Sequence, residues 1–507
     1  LNYKSTRNSS IGVSPAQAIA QGISGEGGLF VPENLPHFSY SDLLEMQHCS
    51  YTERAVRILK AFLSDFTSEE ITECVTAAYT GGKFDRDMPA PMSYLQNSKM
   101  SMYLLELWHG PTCAFKDMAL QLLPHLLTKS LKKIHSSKTA LILVATSGDT
   151  GKAALEGFKD VNGTRIQVFY PENGVSPMQK RQMNTQEGNN VAVCAIEGNF
   201  DDAQTGVKKI FTDPEINRLL EQNNIMFSSA NSINWGRLLP QIVYYFSAYC
   251  DLMVNGEIDH EGEKVNIVVP TGNFGNILAA YYAGKMGLPV KKLICASNAN
   301  NVLTDFLNTG VYNRNRDFHT TISPSMDILV SSNLERLLYD LTGNDSVRVA
   351  EWMKELASAG KYQVGEDILN QLHRIFYAGF CDDSATRETI KQVYHSENYL
   401  CDTHTAVALN VYHQYVETTD DADTPAIVVS TASPYKFADS VLSAVSDSYR
   451  AGASEFEKIH ELSAVTGTSV PAPIAELESK KVRFNDICSK DKMGEAVLKT
   501  AGIQYTV

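Results

Sequence analysis

The sequence predicts an α/β protein of two sheet-centred domains with a mainly helical N-terminal extension. Six short apolar runs carry that prediction: TALILVATSG, RIQVFYP, NVAVCAIEG, KVNIVVPTG, KKLICASN and AIVVSTASP. Each stops at a turn former, and their near-continuous Val, Ile, Leu and Ala suits strands covered on both faces of a parallel sheet. Helical segments such as GKAALEGFKD, DDAQTGVKKIFTD, RLLPQIVYYFSAYC and NILAAYYAGKMG lie between them. That alternation implies α/β layers with right-handed crossovers. The length, 507 residues, allows more than one domain.

Taken in order, residues 1–98 form the extension, in which YSDLLEMQ, TERAVRILKAFLSDF and TSEEITECVTAAYT show helical apolar spacing. Residues 99–240 are expected to form a smaller α/β domain. Residues 241–507 are expected to form a larger one, with a helical insertion from about 317 to 399 and a helical C-terminal cap. Strand-exit loops are where such sheets gather ligands.

The net charge of −14, with no offsetting basic block, argues against nucleic acid or an anionic membrane as main partner. Nine scattered cysteines without a C-x-x-C pair offer neither a disulfide framework nor a zinc site. The twelve histidines show no H-E-x-x-H spacing. No apolar stretch reaches membrane-spanning length and the N-terminus lacks a signal-peptide core, so a cytoplasmic location is expected. The missing initial Met leaves a removed leader open.

Four loops and one lysine carry the chemistry. In HGPTCAFKDMALQLL, Lys116 stands at the mouth of a helix, where the dipole disfavours a cation. In VNIVVPTGNFGNILAAYYAG, Gly272-Asn273-Phe274-Gly275-Asn276 opens a helix and forms an anion seat. A tight turn using glycine for positive φ accounts for that segment equally well. In VATSGDTGKAALEGF, Ser147-Gly148-Asp149-Thr150 offers amides and hydroxyls to a small carboxylate; an N-cap cluster is the plainer account. Its spacing does not fit a P-loop at Lys152. In SSANSINWGRLLPQ, Asn231, Ser232, Asn234 and Arg237 supply the donors used to grip phosphate, unless the arginine merely pairs with an acid. In IVVSTASPYKF, the hydroxyls of Ser430-Thr431-Ala432-Ser433 could meet a heterocycle nitrogen, and a simple strand end accounts for them equally well. A phosphate cradle, a carboxylate loop, a hydroxyl for a ring nitrogen and a lysine kept neutral are together the parts of a pyridoxal 5′-phosphate site.

These motifs resemble the threonine synthase family in its longer bacterial and fungal form. The likeness runs from YKSTR and ISGEGGLFVPENLP through HGPTCAFKD, ATSGDTG, NSIN and PTGNFGN to STASPYKF. It implies a fold-type-II, tryptophan synthase β-like enzyme that converts O-phospho-L-homoserine and water to L-threonine and phosphate, as a monomer or homodimer. Carried over by position, Lys116 is the Schiff-base lysine and proton shuttle. Gly272, Asn273, Phe274, Gly275 and Asn276 hold the cofactor phosphate, and Thr431 meets its ring nitrogen. Ser147, Gly148, Asp149 and Thr150 meet the amino-acid end of the substrate. Asn231, Ser232 and Arg237 hold its phosphate, with help from Asn276.

Two positions depart from the pattern. Asp149 stands where related enzymes often have Asn, and an aspartate would repel the cofactor's ring oxygen unless a proton is shared. Ser433 stands where many members have His. Asp402-Thr403-His404 reads mainly as helix capping. The rival readings are a phospholyase releasing 2-oxobutyrate and ammonia, a dehydratase of free hydroxyamino acids, and a non-catalytic cofactor-binding protein.

Overall fold

The computed structural model describes residues 2–95, 100–146 and 148–504. Two parallel sheets organise it. The smaller runs in the order Ile487–Cys488, Val191–Ile196, Thr164–Pro171, Thr139–Ala145, Ile225–Ser228, parallel throughout. The larger runs Phe376–Phe380, Val290–Ser297, Val265–Pro270, Ala426–Ser430, Met102–Glu106, Met92–Tyr94, and only its last pair is antiparallel. All six expected strands form, and central ones such as Val265–Pro270 are buried along their whole length. Apolar residues on both faces are what two helical layers require.

Sheet pairing cuts across the expected chain boundaries. Met102–Glu106 lies beside Ala426–Ser430 in the larger sheet, although it precedes every strand of the smaller one. The C-terminal segment is not only a helical cap: Ile487–Cys488 adds an edge strand beside Val191–Ile196, and Met493–Ala501 packs on the same sheet. The insertion carries the helices Leu334–Leu341, Ser346–Ala359, Glu366–Ile375 and Asp383–Glu397, and also contributes the edge strand Phe376–Phe380.

The N-terminal extension holds its three expected helices, Tyr40–Met46, Tyr51–Phe62 and Ser68–Tyr79, each opened by a capping box. It also holds an antiparallel sheet of Tyr3–Ser5, Asn8–Val13 and Phe30–Pro32. This unit packs on the helix Trp235–Val254, where Tyr3 meets Trp235 edge-on at 5.4 Å and buried Arg54 pairs with Asp251 at 2.6 Å. Trp235–Val254 is apolar around most of its circumference and correspondingly buried. Among the described residues no helix is long and apolar enough to cross a membrane.

Candidate active site

The loops after Met102–Glu106, Thr139–Ala145, Ile225–Ser228, Val265–Pro270 and Ala426–Ser430 all leave the carboxyl ends of their strands. An antiparallel bridge between Ala114 and Ala432 ties the lysine loop to the last of these. Phe115 N–H donates to the Thr431 carbonyl at 2.8 Å, and Ser433 N–H to the Cys113 carbonyl at 3.1 Å. Ser433 therefore anchors the lysine loop through its backbone, while its hydroxyl accepts from Tyr435 N–H. Thr431 is held beside Lys116 by the same ladder.

Lys116 immediately precedes the short helix Asp117–Leu120, as the sequence predicts. Its neighbour Asp117 turns back, accepting from Thr112 N–H at 2.9 Å and Thr112 Oγ1 at 2.7 Å. Gly110 lets that turn close, because a Cβ there would stand 2.6 Å from Asp117 Oδ2. Among the described residues, Lys116 Nζ has no ion-pair partner and lies 5.7 Å from the Phe115 ring centroid. Burial brings the amine down to about 8; Asp149 opposes the shift, while Lys436 and Arg237 add to it. An amine in that range is available as a nucleophile and as a base near neutral pH.

Asp149 opens the helix Asp149–Phe158 and is committed on both oxygens. Oδ1 pairs with Lys436 Nζ at 2.8 Å and accepts from Gln179 Nε2 at 3.1 Å; Oδ2 accepts from Ser325 Oγ at 3.4 Å. Burial would raise its pKa, but Lys436, then Lys116, hold the carboxyl well below the usual range. The aspartate is thus an anion whose charge Lys436 already balances. Gly148, at φ 145, adopts a backbone that favours glycine, and a Cβ there would strike the Gln179 amide at 2.2 Å. No side chain caps this helix; instead Thr146 Oγ1 accepts from the N–H groups of Gly148 and Gly151. Thr150 is half-buried beside Asp149, and Ser147 lies outside the described residues.

The turn at 271–276 is built differently from the glycine-for-φ expectation. Its left-handed residue is Phe274, at φ 63, with a side chain that is 1% exposed. Gly272 is there for close approach, since a Cβ would sit 2.8 Å from the Ser325 carbonyl. Asn273 is exposed, with its carbonyl fixed by Asn333, and Gly275 begins the helix Gly275–Lys285 without a side-chain cap. That leaves first-turn amides at the positive end of an eleven-residue helix. Asn276 Oδ1 accepts from both Tyr244 at 2.6 Å and Tyr245 at 2.5 Å, so its amide Nδ2 is buried without a partner.

Arg237 repeats that pattern with a charge. It is 3% exposed, donates through Nη1 to the Ala230 carbonyl at 2.5 Å, and leaves Nε buried and unpaired. Among the described residues no acid pairs with it, which overturns the plainer account of its loop. Burial alone brings its pKa down to about 10. Arg237, Gln241, Tyr244 and Tyr245 lie on one face of Trp235–Val254, and Gln241 Nε2 donates to the Arg237 carbonyl. Arg237 and Asn276 therefore share one wall. An unpaired buried guanidinium is costly unless an anion arrives. Asn231 is exposed and Ser232 half-buried at the rim. Asn234 is not a free donor: it caps Trp235–Val254 and binds the Ile19 carbonyl.

Sequence reasoning gave no role to Lys436, Gln179 or Ser325. Asp402 does cap Thr403–Thr419, but it also holds His404 Nδ1 at 2.7 Å while His404 Nε2 accepts from Ser325 N–H at 3.1 Å. The residues present fit pyridoxal phosphate. A weakly basic buried amine, an uncapped helix start and orphaned donors at Asn276 and Arg237 match an aldehyde ligand with anionic groups.

Three family models match along the chain: "Threonine synthase N terminus" over residues 2–79, "Pyridoxal-phosphate dependent enzyme" over 89–367, and "Threonine synthase, C-terminal" over 405–497. Threonine synthase-like 1 of Homo sapiens is 41% identical over 440 residues, which is 85% of this chain and 58% of that protein. Threonine synthase of Saccharomyces cerevisiae is 36% identical over 467 residues, 88% of this chain and 89% of that one. The crystal structure of pyridoxal-phosphate-bound threonine synthase from Brucella melitensis superposes with a TM-score of 0.86 at 35% identity, covering 98% of this chain and 99% of its own. The chain spans little more than half the length of the human relative and most of the other two. With this fold, these matched segments and pyridoxal phosphate as its cofactor, the chain belongs to the threonine synthase family of fold-type-II enzymes.

Proposed function

We propose that the chain converts O-phospho-L-homoserine and water to L-threonine and phosphate. The observation that carries this reading is the buried, acid-free Arg237 beside the orphaned Asn276 amide, because an enzyme acting on free hydroxyamino acids has no use for a second anion grip. When bound, pyridoxal phosphate supplies an electron sink that acidifies the substrate carbon bearing the amine. Lys116 anchors it, and its amine takes the α-proton and returns it at the end. The 272–276 turn receives the cofactor phosphate on backbone N–H groups and the helix dipole. Thr431, a hydroxyl rather than a carboxylate, would serve the ring nitrogen without forcing a proton onto it.

Arg237, with Asn231, Ser232 and Asn276, holds the substrate phosphate before and after it leaves the γ-carbon. A retained phosphate, with a second pKa of about 6, can accept a proton in a later step. The 148–150 loop and Asp149 set the amino-acid end. The test is incubation of the holoenzyme with O-phosphohomoserine, following threonine and phosphate together. Equal amounts of both are expected, with a loss of at least about a thousandfold in Lys116→Ala. Oxo acid and ammonia in place of threonine would instead identify a phospholyase.

A further inference from the structure

A second lysine is buried at this site, and the reading above leaves it idle. Lys436 follows the STASP segment in the turn Pro434–Phe437, and its side chain is 0% exposed. Its Nζ pairs with Asp149 Oδ1 at 2.8 Å and donates to the Thr112 carbonyl at 3.0 Å. Gln182 donates to the same carbonyl at 3.4 Å. The ammonium is thereby fixed between the lysine loop and the helix that opens at Asp149. A buried ammonium needs such a partner, and the Asp149 carboxylate supplies it.

We propose that Lys436 is a positioning residue for the reaction: its ammonium takes up the Asp149 carboxylate, so that this carboxylate cannot lock Lys116 in its protonated form. The charge count supports this. With Lys436 and Asp149 both ionised, their sum is zero, and Arg237 is then the uncompensated charge acting on Lys116, which disfavours a proton on its nitrogen. With Lys436 neutral, Asp149 would be a buried anion without its ion-pair partner, and its field would favour a proton on the nitrogen of Lys116. The charged groups acting on Lys116 are Asp149, Lys436 and Arg237. Lys436 also acts on Asp117 and Cys113. Asp117, itself an acid turned toward Thr112, cannot balance Asp149, and Arg237 points its Nη1 at the Ala230 carbonyl, so among the described residues Lys436 is the cation paired with Asp149. This arrangement also answers how an aspartate can stand where a neutral amide would avoid repulsion with the cofactor.

The inference rests on Lys116 carrying the cofactor, and its test needs no substrate. The visible absorbance of the cofactor–lysine linkage in the holoenzyme is titrated over a range of about pH 5 to 10. In Lys436→Met and Lys436→Gln the midpoint for loss of the linkage proton should rise by about 1–2 pH units. The double substitution Lys436→Met, Asp149→Asn should return it to within about half a unit of the parent. Lys436→Arg, which keeps the charge, should move it least. A folded, cofactor-bearing Lys436→Met or Lys436→Gln chain with the parental midpoint overturns the proposal. So does loss of cofactor by all three single substitutions at 436, since the lysine would then serve only the fold. Absence of any visible band in the parent would instead overturn Lys116 as the cofactor's anchor.

Discussion

Two strand-exit loops, 146–151 and 271–276, share one local grammar of buried strand, glycine-rich turn and helix, yet their electrostatics are opposite. The first carries a carboxylate, Asp149, cancelled by a lysine from a distant segment. The second contains no charged side chain at all, and its rigidity comes from outside: Ser331 Oγ donates to the Gly272 carbonyl at 2.8 Å and Asn333 to the Asn273 carbonyl at 3.1 Å. Asn333 in turn binds the guanidinium of buried Arg336, which also holds the Phe30 and Ile233 carbonyls. Arg336 and Arg237 form the same contrast in miniature. The first spends its donors on protein acceptors, whereas the second keeps one in reserve. Donors that are satisfied internally hold a loop in shape, and donors left orphaned in a buried wall are available to a ligand.

The largest effect should come from emptying that reserve. Arg237→Ala removes the only unpaired buried guanidinium among the described residues of this wall, and kcat/KM for phosphohomoserine should fall by about 10²–10³-fold. Arg336→Ala should instead lower thermal stability, because it strands three acceptors that tie the N-terminal unit to Asn333 and to the loop at Ile233. Activity loss in Arg237→Ala without a drop in melting temperature, and the reverse ordering in Arg336→Ala, would sharpen the distinction. Equal melting losses in the two would erase it.

A smaller effect separates the two glycines of the second loop. Gly272→Ala drives a Cβ against backbone, the Ser325 carbonyl at 2.8 Å, whereas Gly275→Ala meets its nearest atom at 3.4 Å, the Asn333 amide. Overpacking against backbone costs about 1–3 kcal/mol, so cofactor binding should weaken by about tenfold or more in Gly272→Ala. Gly275→Ala should change it little, and cofactor titration of the two chains measures the difference.

Central strands were readable because burial on both faces leaves a continuous apolar run. Edge strands were not. Ile487–Cys488 has two residues, and FYAGF at 376–380 sits inside a helical stretch that hides it. The N-terminal strand NSSIGV is mostly polar because it is a partly exposed edge. In the site, Lys116, Arg237 and the glycine loops announce themselves by local spacing. Lys436 does not: in sequence it is an ordinary lysine after Tyr435, and only the folded chain brings it to Asp149. Partnership across some 290 positions leaves no local pattern to read.

The smallest effect concerns Asp117, the neighbour of Lys116 that takes no part in the reaction. Burial raises its carboxyl to about 6, against the hydrogen bonds from Thr112 that favour the anion. A folded-state pKa above the unfolded value near 3.9 means the folded chain holds the proton more tightly. Its contribution to stability is therefore complete below about pH 4 and lost as pH rises through about 6. Above that, the fold carries a buried anion that the unfolded chain would solvate. Asp117→Asn, which keeps an acceptor for Thr112 but cannot ionise, should melt close to the parent at about pH 4 and a few degrees above it at about pH 8. A parent–variant difference that shrinks from about pH 4 to about pH 8 would show that Thr112 and Lys436 stabilise the Asp117 anion more than burial disfavours it.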